Sequence, residues 1–317
     1  MKDTLGREIR YLRVSLTDLC NLRCVYCMPP EGVSKQTHRD ILSLEETEEI
    51  VQEAVALGVR KVRLTGGEPL VRRGMVSLCR RLRAIPELEE LAVTTNGLLL
   101  PQMASELKEA GVDRVNISID TLNPVKYNSI TRIGSLDDAL RGIEAAWTAG
   151  LRPLKLNCVL IGGFNDDEIP AFAALTEQAD IEVRFIELMP IGHTTPFGEA
   201  AYLPCEAVLQ RLPQLVPAGD NGGVAERYRL PGAIGTLGLI RPLSNCFCAR
   251  CNRLRLTADG CLKPCLHSKE EIPLRELHGE ALREQLLTAI RHKPEQHGLL
   301  RFDSRSESAR NMNAIGG

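Results

Sequence analysis

The chain has 317 residues, eleven of them cysteine, with 25% of its residues charged and a formal net charge of -2. That length suffices for one large α/β domain or two smaller ones, with a core that needs no disulfide staples. Such a balanced charge gives no global field to attract nucleic acid, and no apolar run approaches the roughly 18 residues that span a bilayer.

The first predicted strand is Tyr11-Leu16, which carries Arg13. It runs into Cys20-Asn21-Leu22-Arg23-Cys24-Val25-Tyr26-Cys27, whose C-x3-C-x2-C spacing offers three thiolates. A four-iron cluster normally takes four cysteines, so a loop of three leaves one iron open to another ligand. A structural zinc knot is the plainer use of cysteine, but it ordinarily joins C-x2-C pairs into four ligands. With no cationic-then-apolar segment at the N-terminus, this cysteine content points to a reducing cytoplasm and to metal ligation.

Ser43 and Glu46 form an S-x-x-E capping box for a helix whose Ile50, Ala54 and Leu57 share a face and which Gly58 stops. Strand Lys61-Thr65 leads into Gly66-Gly67-Glu68-Pro69. Paired glycines let a backbone approach a ligand closely, and an ordinary strand-to-helix turn also uses them. Strand Leu91-Thr95 ends in Thr94-Thr95-Asn96-Gly97, and Pro101 opens a helix that stops near Gly111. Strand Arg114-Ile119 ends at Ser118 and Asp120, and Ser135 with Asp138 opens a helix that runs to Gly150. Strands Pro153-Leu160 and Glu182-Leu188 follow, with Met189 at the end of the second. This alternation predicts an α/β fold around a parallel sheet. Six such units make a partial (βα)6 barrel, and spacing alone also allows a complete eight-stranded one. Polar and glycine-rich strand ends are where such barrels build their sites, whereas Cys79 and Cys158 read as core.

Past Pro190 the pattern changes to glycine, proline and short strands, Arg227-Leu230 and Thr236-Ile240, before a cysteine-rich stretch and a helix near Leu274-Ile290. Two regions are expected: residues 1–190 as the barrel with the first cysteine loop, and residues 191–317 as an elaboration over its open side. In the second region Cys248 and Cys251 form a C-x2-C pair and Cys265 follows, while Cys246 and Cys261 lie close enough to compete. Taken alone, this set fits a four-cysteine zinc ribbon as well as a cluster. The chain has no G-x-x-x-x-G-K-S/T phosphate loop, so any phosphate ligand must be held by side chains. Arg253 and Arg255 alternate on a predicted strand and so face one side, and guanidinium groups make paired bonds to phosphate oxygens. Lys61 and Arg184 belong either to the same basic set or to solvated strand ends.

The first cysteine loop, with Tyr26 just before Cys27, resembles that of the radical S-adenosylmethionine (SAM) superfamily. Together with Phe247-Cys248-Ala249-Arg250-Cys251-Asn252-Arg253-Leu254-Arg255-Leu256, Cys265 and the terminal Gly316-Gly317, the chain resembles over its whole length the GTP 3',8-cyclases of molybdenum cofactor biosynthesis. The resemblance implies two 4Fe-4S clusters, one on Cys20, Cys24 and Cys27 and one on Cys248, Cys251 and Cys265, each with an open iron. It places SAM against Tyr26, Gly67, Ser118 and Met189. GTP would meet Arg13, Arg63, Thr94, Lys155, Arg253, Leu254 and Arg255. The first cysteine loop, Arg13 and the terminal Gly316 and Gly317 are implied in catalysis, the tail reaching back to present Arg310 or backbone groups near the first cluster. It further implies a flavodoxin or ferredoxin as electron donor, cyclic pyranopterin monophosphate synthase downstream and a homodimer as one arrangement, while the balanced charge and short apolar runs predict no nucleic acid or membrane partner. A peptide maturase with an auxiliary cluster and a non-catalytic zinc-binding interaction protein are the alternatives.

Overall fold

In the computed structural model, which describes residues 1–33, 40–192, 197–220, 222–298, 300 and 306–316, the strands follow from strict alternation of apolar and polar positions. They are β1 (Tyr11–Ser15), β2 (Lys61–Thr65), β3 (Glu90–Thr95), β4 (Arg114–Ser118), β5 (Leu154–Leu160) and β6 (Ile181–Glu187). Each strand bound lies within one residue of its expectation. One set of side chains, including Leu12, Val14, Val62, Leu64, Val93, Val115, Leu156 and Phe185, is at most 1% exposed and forms the main core. Helices α1 (Leu44–Ala56), α2 (Met75–Arg83), α3 (Leu100–Glu109), α4 (Pro124–Thr131), α5 (Leu136–Thr148) and α6 (Ile169–Ala174) connect these strands, and the buried apolar side chains of α1, α2, α3 and α5 belong to the same core. Cys79 and Cys158 are buried there as expected. The capping box of α1 is formed, Ser43 Oγ accepting from Glu46 N at 3.0 Å and Ser43 N donating to Glu46 Oε2 at 2.7 Å. Ser135 precedes α5 without a side-chain cap.

The strands run parallel in chain order from β1 to β6, and the sheet continues past both ends. After α7 (Glu206–Arg211) and the short strands β7 (Val216–Pro217) and β8 (Glu226–Arg229), strand β9 (Thr236–Ile240) adds parallel to β6. Strand β10 (Arg253–Leu256) adds parallel to β1 at the other edge. Antiparallel strands extend each side: β8 and β7 beyond β9, and β11 (Cys261–Lys263) and β12 (Ile272–Pro273) beyond β10. Among the described residues β9 and β10 thus add two parallel strands to the six expected βα units, and they do not pair with each other, so the barrel stays open as a partial one. Residues 241–252 must cross from one edge to the other, which carries Cys246, Cys248 and Cys251 over the gap. The C-terminal region thus shares the barrel's sheet as well as crossing its open side. Helix α8 (Gly279–Arg291) begins five residues later than expected, because 274–278 forms a turn. No described helix is long and apolar enough to cross a membrane.

Arg7 ties the first residues to this C-terminal region. Its Nε donates to Asp3 at 2.6 Å, Nη1 to the carbonyls of Cys248 (3.0 Å) and Glu295 (3.1 Å), and Nη2 to those of Lys293 (3.2 Å) and Pro294 (2.8 Å). Removing a buried guanidinium leaves its carboxylate and carbonyl partners unpaired. Arg7→Ala is therefore expected to cost about 3 kcal/mol in urea unfolding. The same variant should become sensitive to limited proteolysis near residues 248 and 295, and resistance equal to wild type there would refute the clamp.

Candidate active site

Side chains on the inner face of the parallel strands line one cavity of about 720 Å³. In a filled barrel the inner residues pack against each other in apolar layers. Here they are polar: Arg13 from β1, Arg63 from β2, Thr94 from β3, Asn116 and Ser118 from β4, Lys155 and Asn157 from β5, and Arg184 from β6. The hydroxyl of Thr94, Nδ2 of Asn116 and Oδ1 of Asn157 are buried with no hydrogen-bond partner among the described residues. Each such group costs about 1–3 kcal/mol, an arrangement that suits a polar ligand.

The first cysteine loop follows the C-terminal end of β1, so it caps one mouth of the cavity, and Cys20, Cys24 and Cys27 all line it. Backbone bonds fasten the glycine segment to this loop: Gly67 N donates to Thr17 O at 2.7 Å and Glu68 N to Leu19 O at 2.8 Å. A Cβ on Gly67 would lie 2.5 Å from Asp18 O and closer still to Leu19 O, so the approach requires glycine. Glu68, only 1% exposed, accepts from Leu70 N (3.0 Å), Thr95 Oγ1 (2.8 Å) and Asn96 N (2.8 Å), joining the ends of β2 and β3. Burial lifts its carboxyl to about 7 against those three bonds. Asn96 in turn donates to Asn21 Oδ1 at 2.7 Å. Tyr26 donates its hydroxyl to Asp120 Oδ2 at 2.6 Å, and Asp120 Oδ1 accepts from Val159 N at 2.9 Å. Burial raises all three thiols, Cys20 to about 11. The buried loop therefore disfavours thiolates, and a cationic iron site would offset that cost.

The middle of the cavity is basic because of strand register. Arg13 pairs across β1 and β10 with Arg255 and across β1 and β2 with Arg63, so three guanidiniums stand on adjacent strands spaced about 4.8 Å apart. Arg63 and Arg255 are 7% and 8% exposed. Burial, then repulsion from Arg255, lowers Arg13 to about 9; burial likewise lowers Arg63 to about 9, and burial with repulsion from Arg253 takes Arg255 to about 10. Lys155 is held to about 7 by burial and then by Arg184, although Glu182 accepts from it at 3.2 Å.

Cys248 and Cys251 precede β10, and Cys265 follows the antiparallel strand β11, so the second cysteine group lies at the opposite mouth. The five residues of β1 alone separate the two ends by about 16 Å. Cys248, Cys251 and Cys265 line the cavity, whereas Cys246 is exposed and Cys261 lies on β11, neither of them in the lining. Burial would raise the Cys251 thiol, but Arg253 and Lys293 outweigh it and bring it down to about 7. Lys293 has no sequence signal. It sits at the end of α8 and donates to Arg253 O and Pro264 O, both at 2.8 Å. Arg253 also stacks over Phe247, 4.9 Å from its centroid.

Tyr26, Gly67, Ser118 and Met189 line the first mouth, and Arg253 and Arg255 join Arg13, Arg63, Thr94 and Lys155 in the lining, as do Lys61 and Arg184. Leu254 does not: at 2% exposure it points from β10 into the apolar core, so only its backbone is open to a ligand. The tail does return. Gly316 O accepts from Arg255 Nη1 at 2.6 Å, and Asn313 Nδ2 donates to Asp18 O at 3.1 Å. Gly316 has φ of +69°, and a Cβ there would collide with Thr65 Oγ1. Arg310 anchors the tail on Asp259 (2.8 Å) and Glu271 (2.7 Å). Gly317 lies outside the described residues.

The profile of the Radical SAM superfamily matches residues 14–176, and that of Molybdenum Cofactor Synthesis C matches residues 181–299. The chain is similar to the GTP 3',8-cyclase of Alkaliphilus oremlandii, 52% identical over 321 residues and 100% of both chains. It is equally similar, 52% over 330 residues and 100% of both, to the GTP 3',8-cyclase of Pelotomaculum thermopropionicum. Among solved structures, Streptococcus suis SuiB superposes with a TM-score of 0.61 at 13% identity, over 91% of this chain and 66% of that one, a likeness of fold.

The row of arginines generates a stability test. Like charges directly opposite in a sheet are destabilising, so Arg13→Met should stabilise the ligand-free protein by about 1 kcal/mol in urea. Tripolyphosphate should raise the melting temperature of wild type and do so much less for the variant. A destabilised variant that still responds fully to tripolyphosphate would refute the reading.

Proposed function

From its membership of the GTP 3',8-cyclases, a family of the radical SAM superfamily to which this chain belongs, we propose that it converts GTP to 3',8-cyclo-7,8-dihydro-GTP, the first step towards molybdenum cofactor. The observation that carries this reading is the in-register row Arg255, Arg13 and Arg63 between two three-cysteine mouths of one cavity. When bound, the open-iron cluster on Cys20, Cys24 and Cys27 with SAM supplies the radical chemistry that takes hydrogen from ribose C3', after which C3' joins guanine C8. An electron and a proton replace the lost hydrogen, so the product keeps the mass of GTP.

The chain's own residues bind, orient and exclude water. The arginine row, with Arg253 and Lys155, holds the triphosphate; the buried, unpartnered groups of Thr94, Asn116 and Asn157 are left for the nucleoside. Gly67 and Ser118 keep one mouth narrow for SAM, with Tyr26 fixed by Asp120 and Met189 at the end of β6. Cys248, Cys251 and Cys265, which line the cavity, would hold the second cluster, whose iron would supply a further contact to the substrate. Residues 1–190 act as the radical-generating region and 191–317 as the substrate region. We assign the setting to the cytoplasm, with a flavodoxin or ferredoxin donor and handover to cyclic pyranopterin monophosphate synthase.

Two outcomes test this. Anaerobically reconstituted protein with SAM and dithionite should form 5'-deoxyadenosine strongly only with GTP, while GTP is converted to a product of equal mass. Formation indifferent to GTP would remove the cyclase and leave a peptide substrate. Lys155 gives the second. A bound polyanion restores a charge that the free protein holds only below about 7, so binding takes up a proton and GTP affinity falls as pH rises above 7. Calorimetry in buffers of different ionisation enthalpy should show that uptake in wild type and not in Lys155→Met.

A further inference from the structure

We propose that Cys246, Cys248 and His297 form a site for one soft divalent metal ion, zinc by chemistry, which competes with the second cluster for Cys248. The competition rests on the reading of Cys248 as a cluster ligand; the site itself does not. Among the described residues this is the group of cysteine, histidine and acidic side chains whose ligand atoms all lie within 4.8 Å of one another. A single zinc takes sulfur at about 2.3 Å and nitrogen at about 2.0 Å, so its donors must be gathered this closely. A four-iron cluster binds its cysteines on separate irons and needs no such gathering. Cys246, which faces solvent away from the cavity lining, therefore has a placement that the cluster reading does not use.

The site is built by two segments far apart in sequence. Cys246 and Cys248 lie on the crossing between β9 and β10, and His297 follows α8. Arg7 clamps them together, donating from one nitrogen to both Cys248 O and Glu295 O. The imidazole is already oriented. Its Nδ1 lies 2.8 Å from Gly298 O and its Nε2 3.3 Å from Pro242 O, yet a neutral ring carries a single N–H. With the proton on Nδ1, donating at the shorter distance, Nε2 presents a lone pair towards Pro242 O, so a metal ion at about 2.0 Å from Nε2 must turn that carbonyl aside. An Nδ1–H bond to a backbone carbonyl is how metal-bound histidines are commonly fixed.

Cys246 is exposed and Cys248 and His297 are half-buried, so an ion enters from solvent and water completes a tetrahedron. Two thiolates and an imidazole favour zinc over magnesium or calcium, and zinc binds such donors more tightly than ferrous ion. Binding displaces one proton from each thiol. Once Cys248 is held by zinc, the second cluster lacks a ligand.

Cobalt(II) serves as the probe on anaerobic, cluster-free protein. Wild type should show a sulfur-to-cobalt charge-transfer band, and Cys246→Ser and His297→Gln should each weaken that binding at least tenfold, while Cys265→Ser leaves it unchanged. Zinc added before iron and sulfide should then limit wild type to about four irons per chain instead of about eight, and Cys246→Ser should restore about eight. Cobalt binding indifferent to His297→Gln, or lost in Cys265→Ser as in a four-cysteine site, would overturn the proposal. If wild type takes only about four irons without zinc, the second-cluster reading fails, and the cobalt titration still decides the metal site.

Discussion

Three guanidiniums on neighbouring strands, Arg255, Arg13 and Arg63, repel one another in a half-dry barrel, and the rest of the fold serves to hold them there. The repulsion is a local cost, and the outer face of the same strands offsets it with side chains almost wholly withdrawn from water. Register is what makes the row. A slip of one residue would turn Leu12 or Leu254 into the cavity and the arginines into the apolar core, so the same core contacts that stabilise the sheet also fix the charge. Arg255 comes from a strand about 240 residues after Arg13, and it reaches its place only because Leu254 and Leu256 pack in the core and Lys293 and Arg7 bind the segment around it.

This arrangement separates two chemistries along one axis. A loop after β1 and a loop before β10 lie at opposite ends because those strands are parallel neighbours. At one end burial, with Glu68 and Asp120 adding to it, pushes the thiols up; at the other Arg253 and Lys293 outweigh burial and pull Cys251 down. An elongated ligand with its anionic part at the arginines has one end towards each group. Glu68 matters here as a joint: it ties the glycine segment to Thr95 and Asn96, and Asn96 ties both to the cysteine loop.

Local signals made much of this legible. Strands β1 to β6 carry a period of two with apolar residues on one side, and their bounds were readable to a residue. The cysteine spacing, the glycine segment and the Arg253 and Arg255 pair were also readable. What escaped depends on contacts across the chain. Nothing near Lys293, Arg7 or His297 in sequence marks them as neighbours of the cysteines, and β9 and β10 are ordinary short strands whose place beside β6 and β1 is set by tertiary packing. Leu254 shows the converse error: sharing a motif with two ligand-facing arginines says nothing of its side chain, because alternation sends it to the other face.

The tail follows from the same charges. Burial, then repulsion from Arg253, depresses the affinity of Arg255 for its proton, and the carbonyl of Gly316 gives it an acceptor at 2.6 Å. Only glycine can sit there, since its φ is +69° and Thr65 fills the space a Cβ would need. Arg310, fixed between Asp259 and Glu271, sets the length of the tether. Six residues run from Asn311 to Gly316, a reach of about 20 Å when extended, so the end of the chain can leave Arg255 without leaving the mouth of the cavity. A phosphate oxygen is a stronger acceptor for a guanidinium than a peptide carbonyl. The tail contact is therefore one that an anionic ligand can displace, with the freed glycine backbone kept within a tether's length of the first cysteine loop.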